Sequence, residues 1–247
     1  MNLILVGSLA SLCAGLTTAV GALPIFFVRR VSDRFLDSSL GFAAGVMLAA
    51  TSFSLLVPAI EIGGVWKTVF GIILGAVFLV CAERLTPHMH HVAGIKGPPT
   101  ELSKVWLFIL AITIHNFPEG IAVGVGFGGG DISTGTKLAI GIGLQNMPEG
   151  LAVALPLMRE ESTRARAFLI ALLTGLVEPV GGFLGISIVS LGEFILPYGL
   201  AFAGGAMLFV ISEEIIPETH SRGNDREATI GVLIGFIVMM VLDNLFG

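Results

Sequence analysis

The sequence predicts an all-α membrane protein with eight transmembrane helices in a 3+2+3 arrangement with inverted repeats. Three observations carry that prediction. The 247 residues are 54% hydrophobic and only 13% charged, with a mean hydropathy of +0.93, whereas soluble domains carry about 25% charge. Apolar windows long enough to cross a bilayer, about 20 residues each, recur along the whole chain. The chain also matches itself at fixed offsets.

The windows fall near 3–28, 38–60, 66–87, 104–127, 135–158, 165–191, 194–216 and 229–246. The loops between them are short, so residues 1–247 read as a single polytopic domain. No basic stretch precedes the first window, which therefore reads as a span and not as a cleaved leader. Cys13 and Cys81 lie inside apolar windows, which argues against a disulfide or thiolate site.

Basic residues set the orientation. One set of loops holds Arg29, Arg30, Arg34, Arg84, Lys96, Lys104, Arg159, Arg164, Arg166, Arg222 and Arg226; the other holds Lys67 and Lys137. Taking the first set as cytoplasmic puts both termini outside, in a multi-pass protein of the cell (inner) membrane. The net charge of −5 then carries no message about nucleic acid, because the basic residues mark topology.

An offset of 160 residues superimposes windows 1–3 on windows 6–8 without a gap. Gly15, Val20 and Gly21 meet Gly175, Val180 and Gly181; Gly45, Met47 and Ser52 meet Gly205, Met207 and Ser212; Gly71 and Gly75 meet Gly231 and Gly235; and Glu83 meets Asp243. Residues 1–87 and 161–247 are thus one three-span unit written twice. The central pair, 104–158, repeats at an offset of 30: Asn116, Pro118, Glu119 and Gly120 meet Asn146, Pro148, Glu149 and Gly150. Matched helices cross in opposite directions, a pattern typical of transporters whose site lies at the midplane where the repeats meet.

The chemistry sits in those central helices. "TIHNFPEGIAVGVG" and "GLQNMPEGLAVALP" place polar residues mid-membrane. An ionised carboxylate there costs roughly 2.5–3.5 kcal/mol on insertion scales. Glu119, Glu149 and Glu178 are three such groups, and no buried Lys or Arg in the same windows pairs with them. A divalent cation would supply the missing charge. His115 and Glu119 share a helix face, with Asn116 beside it, and Gln145, Asn146 and Glu149 repeat that face. Pro118 and Pro148 free the carbonyls of Ile114 and Leu144, which is tolerated at membrane depth where backbone lines a polar cavity. Glu178 also precedes a proline; its repeat partner is Thr18.

With these residues in hand, the chain resembles the ZIP family (Zrt-, Irt-like metal transporters) in its bacterial and archaeal form. "HNFPEG", "QNMPEG" and "EPVGG" are the most specific parts, and the resemblance covers all eight windows. It implies uptake of divalent metal, chiefly Zn2+, with Cd2+, Fe2+ and Mn2+ as further substrates, no organic cofactor, and a homodimer. It implies a paired-metal site bridged by Glu119 and Glu149. One metal would take His115, Glu119, Gln145 and Glu149, with Met47 as a further ligand; the other would take Asn116, Glu119, Asn146, Glu149 and Glu178. Some relatives carry Asp where Asn146 stands, which removes one negative charge from the second set. The resemblance also implies an exit site at Glu83 and Glu214 and a loop site at His88 and His90. It divides the spans into a moving set (1, 4, 5, 6) and a frame (2, 3, 7, 8).

Gly124, Gly126 and Gly129 satisfy G-x-G-x-x-G, but no strand precedes them, so a nucleotide site is rejected. No phosphate-binding G-x-x-x-x-G-K-[ST] suggests an ATP-driven pump. The alternative to a transporter is an intramembrane di-metal carboxylate enzyme, since carboxylate-and-His helices also build di-iron sites; the inverted repeat has no obvious use there. A metal sensor or passive channel would share the ligands.

Overall fold

The computed structural model describes residues 2–28, 31–90, 94–160 and 162–245. Eight helical spans cross the bundle: Leu3–Phe26, Asp33–Gly63, Val65–Leu85, Lys104–Gly128, Ile132–Arg159, Arg164–Val189, Glu193–Thr219 and Asp225–Leu245. These are spans 1 to 8. A short antiparallel hairpin, β1 (His88–His90) with β2 (Gly94–Lys96), lies between spans 3 and 4.

Span ends follow ordinary capping. Asn2, Ser32, Asp131 and Thr163 accept backbone N–H bonds at the starts of spans 1, 2, 5 and 6. Spans 4 and 5 run unbroken through Pro118 and Pro148. Span 6 does not. The window at 165–191 is two helices, Arg164–Gly175 and Glu178–Val189, parted by a turn at Leu176 and Val177. Pro179 contributes to the break, since it has no N–H to return a bond to the Gly175 carbonyl. Spans 2 and 7 each contain a π-helical segment, Ala50–Leu56 and Ile211–Ile215.

Spans 1, 4, 5 and 6 pack on one another; span 2 lies along span 8, and span 3 along span 7. Spans 2 and 7 also touch spans 5 and 4 respectively. Several seams are backbone to backbone. A Cβ at Gly45 would fall 2.0 Å from the carbonyl oxygen of Val232, and one at Gly205 would fall 2.3 Å from that of Ile72. Likewise Gly75 meets Phe202 at 2.1 Å and Gly235 meets Phe42 at 2.0 Å. Each pair of contacts is related by 160 residues. Gly15 and Gly175, themselves 160 apart, face each other, each added Cβ lying 2.2 Å from the other's carbonyl oxygen. Cys13 and Cys81 are free thiols exposed on the bundle surface.

Candidate metal site

Spans 4 and 5 bring their polar faces together inside the bundle. His115, Asn116, Glu119, Gln145, Asn146, Glu149 and Glu178 are all buried. Gln145 Nε2 donates to Glu119 Oε1 at 2.7 Å. Asn146 Nδ2 donates to Glu178 Oε1 at 2.6 Å and to the Ala14 carbonyl at 2.9 Å. The span 6 break delivers Glu178 to this point: its carboxylate sits on the first residue of the second half-helix, and its carbonyl accepts the Ser11 hydroxyl at 2.8 Å. Small residues permit the approach, because a Cβ at Gly120 would lie 2.0 Å from the Glu178 carbonyl oxygen.

Gln145 and Asn146 each give an amide N–H to one carboxylate and turn the oxygen elsewhere. Glu119 Oε2, Gln145 Oε1, Asn146 Oδ1, Glu149 Oε1 and Glu178 Oε2 are buried acceptors without a hydrogen-bond partner, and both polar atoms of Asn116 lack one too. The three carboxylates are close enough to feel one another's charge. An orphaned buried acceptor costs about 1–3 kcal/mol, so five around one centre are a strong demand for a cation. Met47 is fully buried in the apolar cluster that includes Ile142 and Met239.

A cavity of about 450 Å³ leads from His115, Glu149 and Glu214 to Lys104, Gly94, Glu218 and Arg222 at the end of the bundle rich in basic residues. Its walls between are apolar, with Leu40, Phe108 and Ile112 among them. Arg222 at the mouth is bound to Asp37 and Glu218. Burial opposes its charge, but Glu218 and Asp37 outweigh burial and raise its pKa. Toward the opposite end, Phe127, Leu138, Ile142, Ile186 and Met239 belong to one packed apolar cluster.

Glu83 and Glu214, expected at an exit, stand with His88: one ligand atom from each lies within 4.8 Å of the others, all three buried. His88 is held by Nδ1 at 2.9 Å from the Thr86 carbonyl. Glu214 also reaches the histidine of the central pair. Glu214 Oε1 lies 2.8 Å from His115 Nε2, so the two groups form one continuous chain. The π-helical turn at Ile211–Ile215 carries Glu214, and a sequence read at 3.6 residues per turn gives no sign of it. The His90 side chain and His91 fall outside the described residues. His220 is not in the cluster; it bonds Ile216 and Thr229 at the turn between spans 7 and 8.

Sequence reasoning missed one charged group. Lys137, read as a topology marker, is half-buried at the far end of span 5. Its Nζ lies 3.5 Å from Asp243 Oδ1, with side chains 11% and 17% exposed. It does not offset the three glutamates, since twelve residues of helix, about 18 Å, part it from Glu149.

The family model "ZIP Zinc transporter" matches residues 99–243. The chain is 44% identical to "Zinc transporter GufA" of Myxococcus xanthus, covering 98% of this chain and 99% of that protein. It is 41% identical to "Zinc transporter ZIPB" of Bordetella bronchiseptica over 93% of this chain and 78% of that protein. It is 38% identical to human "Zinc transporter ZIP11" over 92% and 93%.

Proposed function

The chain belongs to the ZIP family of zinc transporters, and from that premise we propose that it takes up Zn2+ into the cytoplasm by alternating access through a paired-metal site. The observation that carries this reading is the set of five orphaned acceptor oxygens on Glu119, Gln145, Asn146, Glu149 and Glu178. One metal takes His115, Glu119, Gln145 and Glu149, with Met47 the added soft ligand. The second takes Asn116, Glu119, Asn146, Glu149 and Glu178. Oxygen-rich sites without thiolate discriminate loosely, so Cd2+, Fe2+ and Mn2+ compete as substrates.

The inverted repeat belongs to the same proposal. Its support is the recurrence of backbone contacts at 160-residue spacing and the packing of span 2 on 8 and of span 3 on 7. So is the division into a moving bundle of spans 1, 4, 5 and 6 and a frame of spans 2, 3, 7 and 8. With the basic loops inside, both termini lie outside and the cavity faces the cytoplasm, an inward-open arrangement in which Glu83, His88 and Glu214 line the way out. The homodimer rests on resemblance alone, and cross-linking in native membranes tests it.

Transport is favoured over the di-metal enzyme because the relatives named above are zinc transporters. The deciding experiment is Zn2+ uptake into proteoliposomes beside an oxygen electrode. Saturable uptake, competed by Cd2+, supports the proposal. Metal-dependent oxygen consumption without uptake overturns it in favour of the enzyme.

A further inference from the structure

At the end of the bundle away from the cavity, a polar contact joins the two sets of spans. Lys137 Nζ, on span 5, lies 3.5 Å from Asp243 Oδ1 and 3.4 Å from the Asp243 carbonyl oxygen, on span 8. The same Oδ1 accepts the Ser54 hydroxyl of span 2 at 2.7 Å. One turn deeper, span 5 again meets span 8: a Cβ at Gly141 would lie 2.7 Å from Met239 Sδ. Lys137 and Gly141 therefore share a face, as do Asp243 and Met239, and the two faces oppose each other. The charged pair caps an apolar plug.

Arg159 and Asp33, which join spans 5 and 2, are 3.0 Å apart at the opposite end, but their side chains are 62% and 50% exposed. Exposed pairs of that kind contribute little. The pair of Lys137 with Asp243 is mostly withdrawn from water, so separating it leaves the carboxylate with the Ser54 hydroxyl but without its counter-charge.

We propose that Lys137 is a latch for the outer mouth: its ammonium holds span 5 against spans 2 and 8, and an incoming dication opens the mouth by taking Asp243 from it. A dication outcompetes an ammonium for a carboxylate through its double charge, and once seated it repels Lys137. The carrier then opens outward mainly when metal is there to be bound. This rests on the alternating-access reading above.

Two cysteine probes test it in full-length protein in nanodiscs, after Cys13→Ala and Cys81→Ala. Met239→Cys lies in the plug and Ala111→Cys lines the inner cavity; a water-soluble maleimide reports exposure of each. Lys137→Met is expected to speed labelling at position 239 about fivefold and to slow labelling at 111. Lys137→Arg, which keeps the charge, should match the parent, as should the exchange of Lys137→Asp with Asp243→Lys. Unchanged labelling at both probes in well-folded Lys137→Met overturns the latch and leaves alternating access standing. Faster labelling at 239 with none lost at 111 overturns the two-state reading, and the latch with it. An exchanged pair that labels as fast as Lys137→Met would show that burial, not pairing, holds the mouth, and this also overturns the proposal.

Discussion

On the proposed orientation, Glu83 of span 3 and Glu214 of span 7 stand with His88 at the inner end of the pathway, and Glu214 lines the cavity there. At the outer end, the positions one repeat away are Asp243 of span 8 and Ser54 of span 2. They too touch each other, but the place beside them is taken by the ammonium of Lys137. One framework thus serves two chemistries. The inner mouth offers two carboxylates and an imidazole to a cation. The outer mouth has one carboxylate, already satisfied. Where a side chain sits is fixed by backbone contacts that recur at both ends; what each mouth does is fixed by which residue occupies the position.

The largest test of this contrast removes what both mouths lead to. Glu119→Ala or Glu149→Ala is expected to cut Zn2+ uptake at least roughly 100-fold, as loss of a shared ligand should, while gel filtration shows folded protein. Near-normal uptake by either variant would sink the paired site. Next in size is the asymmetry between the two metals. His115→Ala should lower uptake about tenfold and Glu178→Gln by less, because imidazole suits Zn2+ well. Asn146→Asp should raise occupancy of the second metal in a titration of purified protein, since it adds negative charge between two dications that repel. Equal tight binding at both sites in the parent, unchanged by Asn146→Asp, would contradict this.

The mouths themselves come third. Glu214→Ser gives the inner mouth the residue found at the matching outer position and should slow uptake about fivefold, whereas Ser54→Ala should change it less than about twofold, the loss of a single hydroxyl bond. Equal effects would erase the functional difference between the mouths. The smallest effect belongs to the exposed link at the inner end: Arg159→Ala should lower stability by less than about 1 kcal/mol, read by thermal unfolding.

Much of this was legible in the sequence because membranes impose strong patterns. Hydropathy marked all eight spans to within a few residues, and glycines 160 apart, such as Gly45 and Gly205, make like backbone contacts. The motif residues gathered as their helix spacing demanded. Two features stayed hidden for physical reasons. A π-turn changes the period locally, so Glu214 could not be aimed at His115 by counting. Lys137 lies at a span end, where a basic residue ordinarily reports topology, and its partner is more than 100 positions away. A lysine at the end of an apolar window, with an acid at the matching depth of another, is the signal that would have found it.

The contact between Gly15 and Gly175 has a consequence for ancestry. On the inverted-repeat reading, each of these glycines meets its own counterpart, as a residue does on the two-fold axis of a symmetric dimer. Before duplication, a single gene for the three-span unit would have needed only one glycine there to make both halves of the contact. Its product would also have had to insert in both orientations, so that one copy could pair upside down with another. A chain free to do that can carry little bias in its basic residues. The present bias of eleven to two is then a later acquisition, fixed once fusion gave each half a permanent direction. On the same reading, Glu178 and Thr18 are a pair across that axis whose chemistry differs.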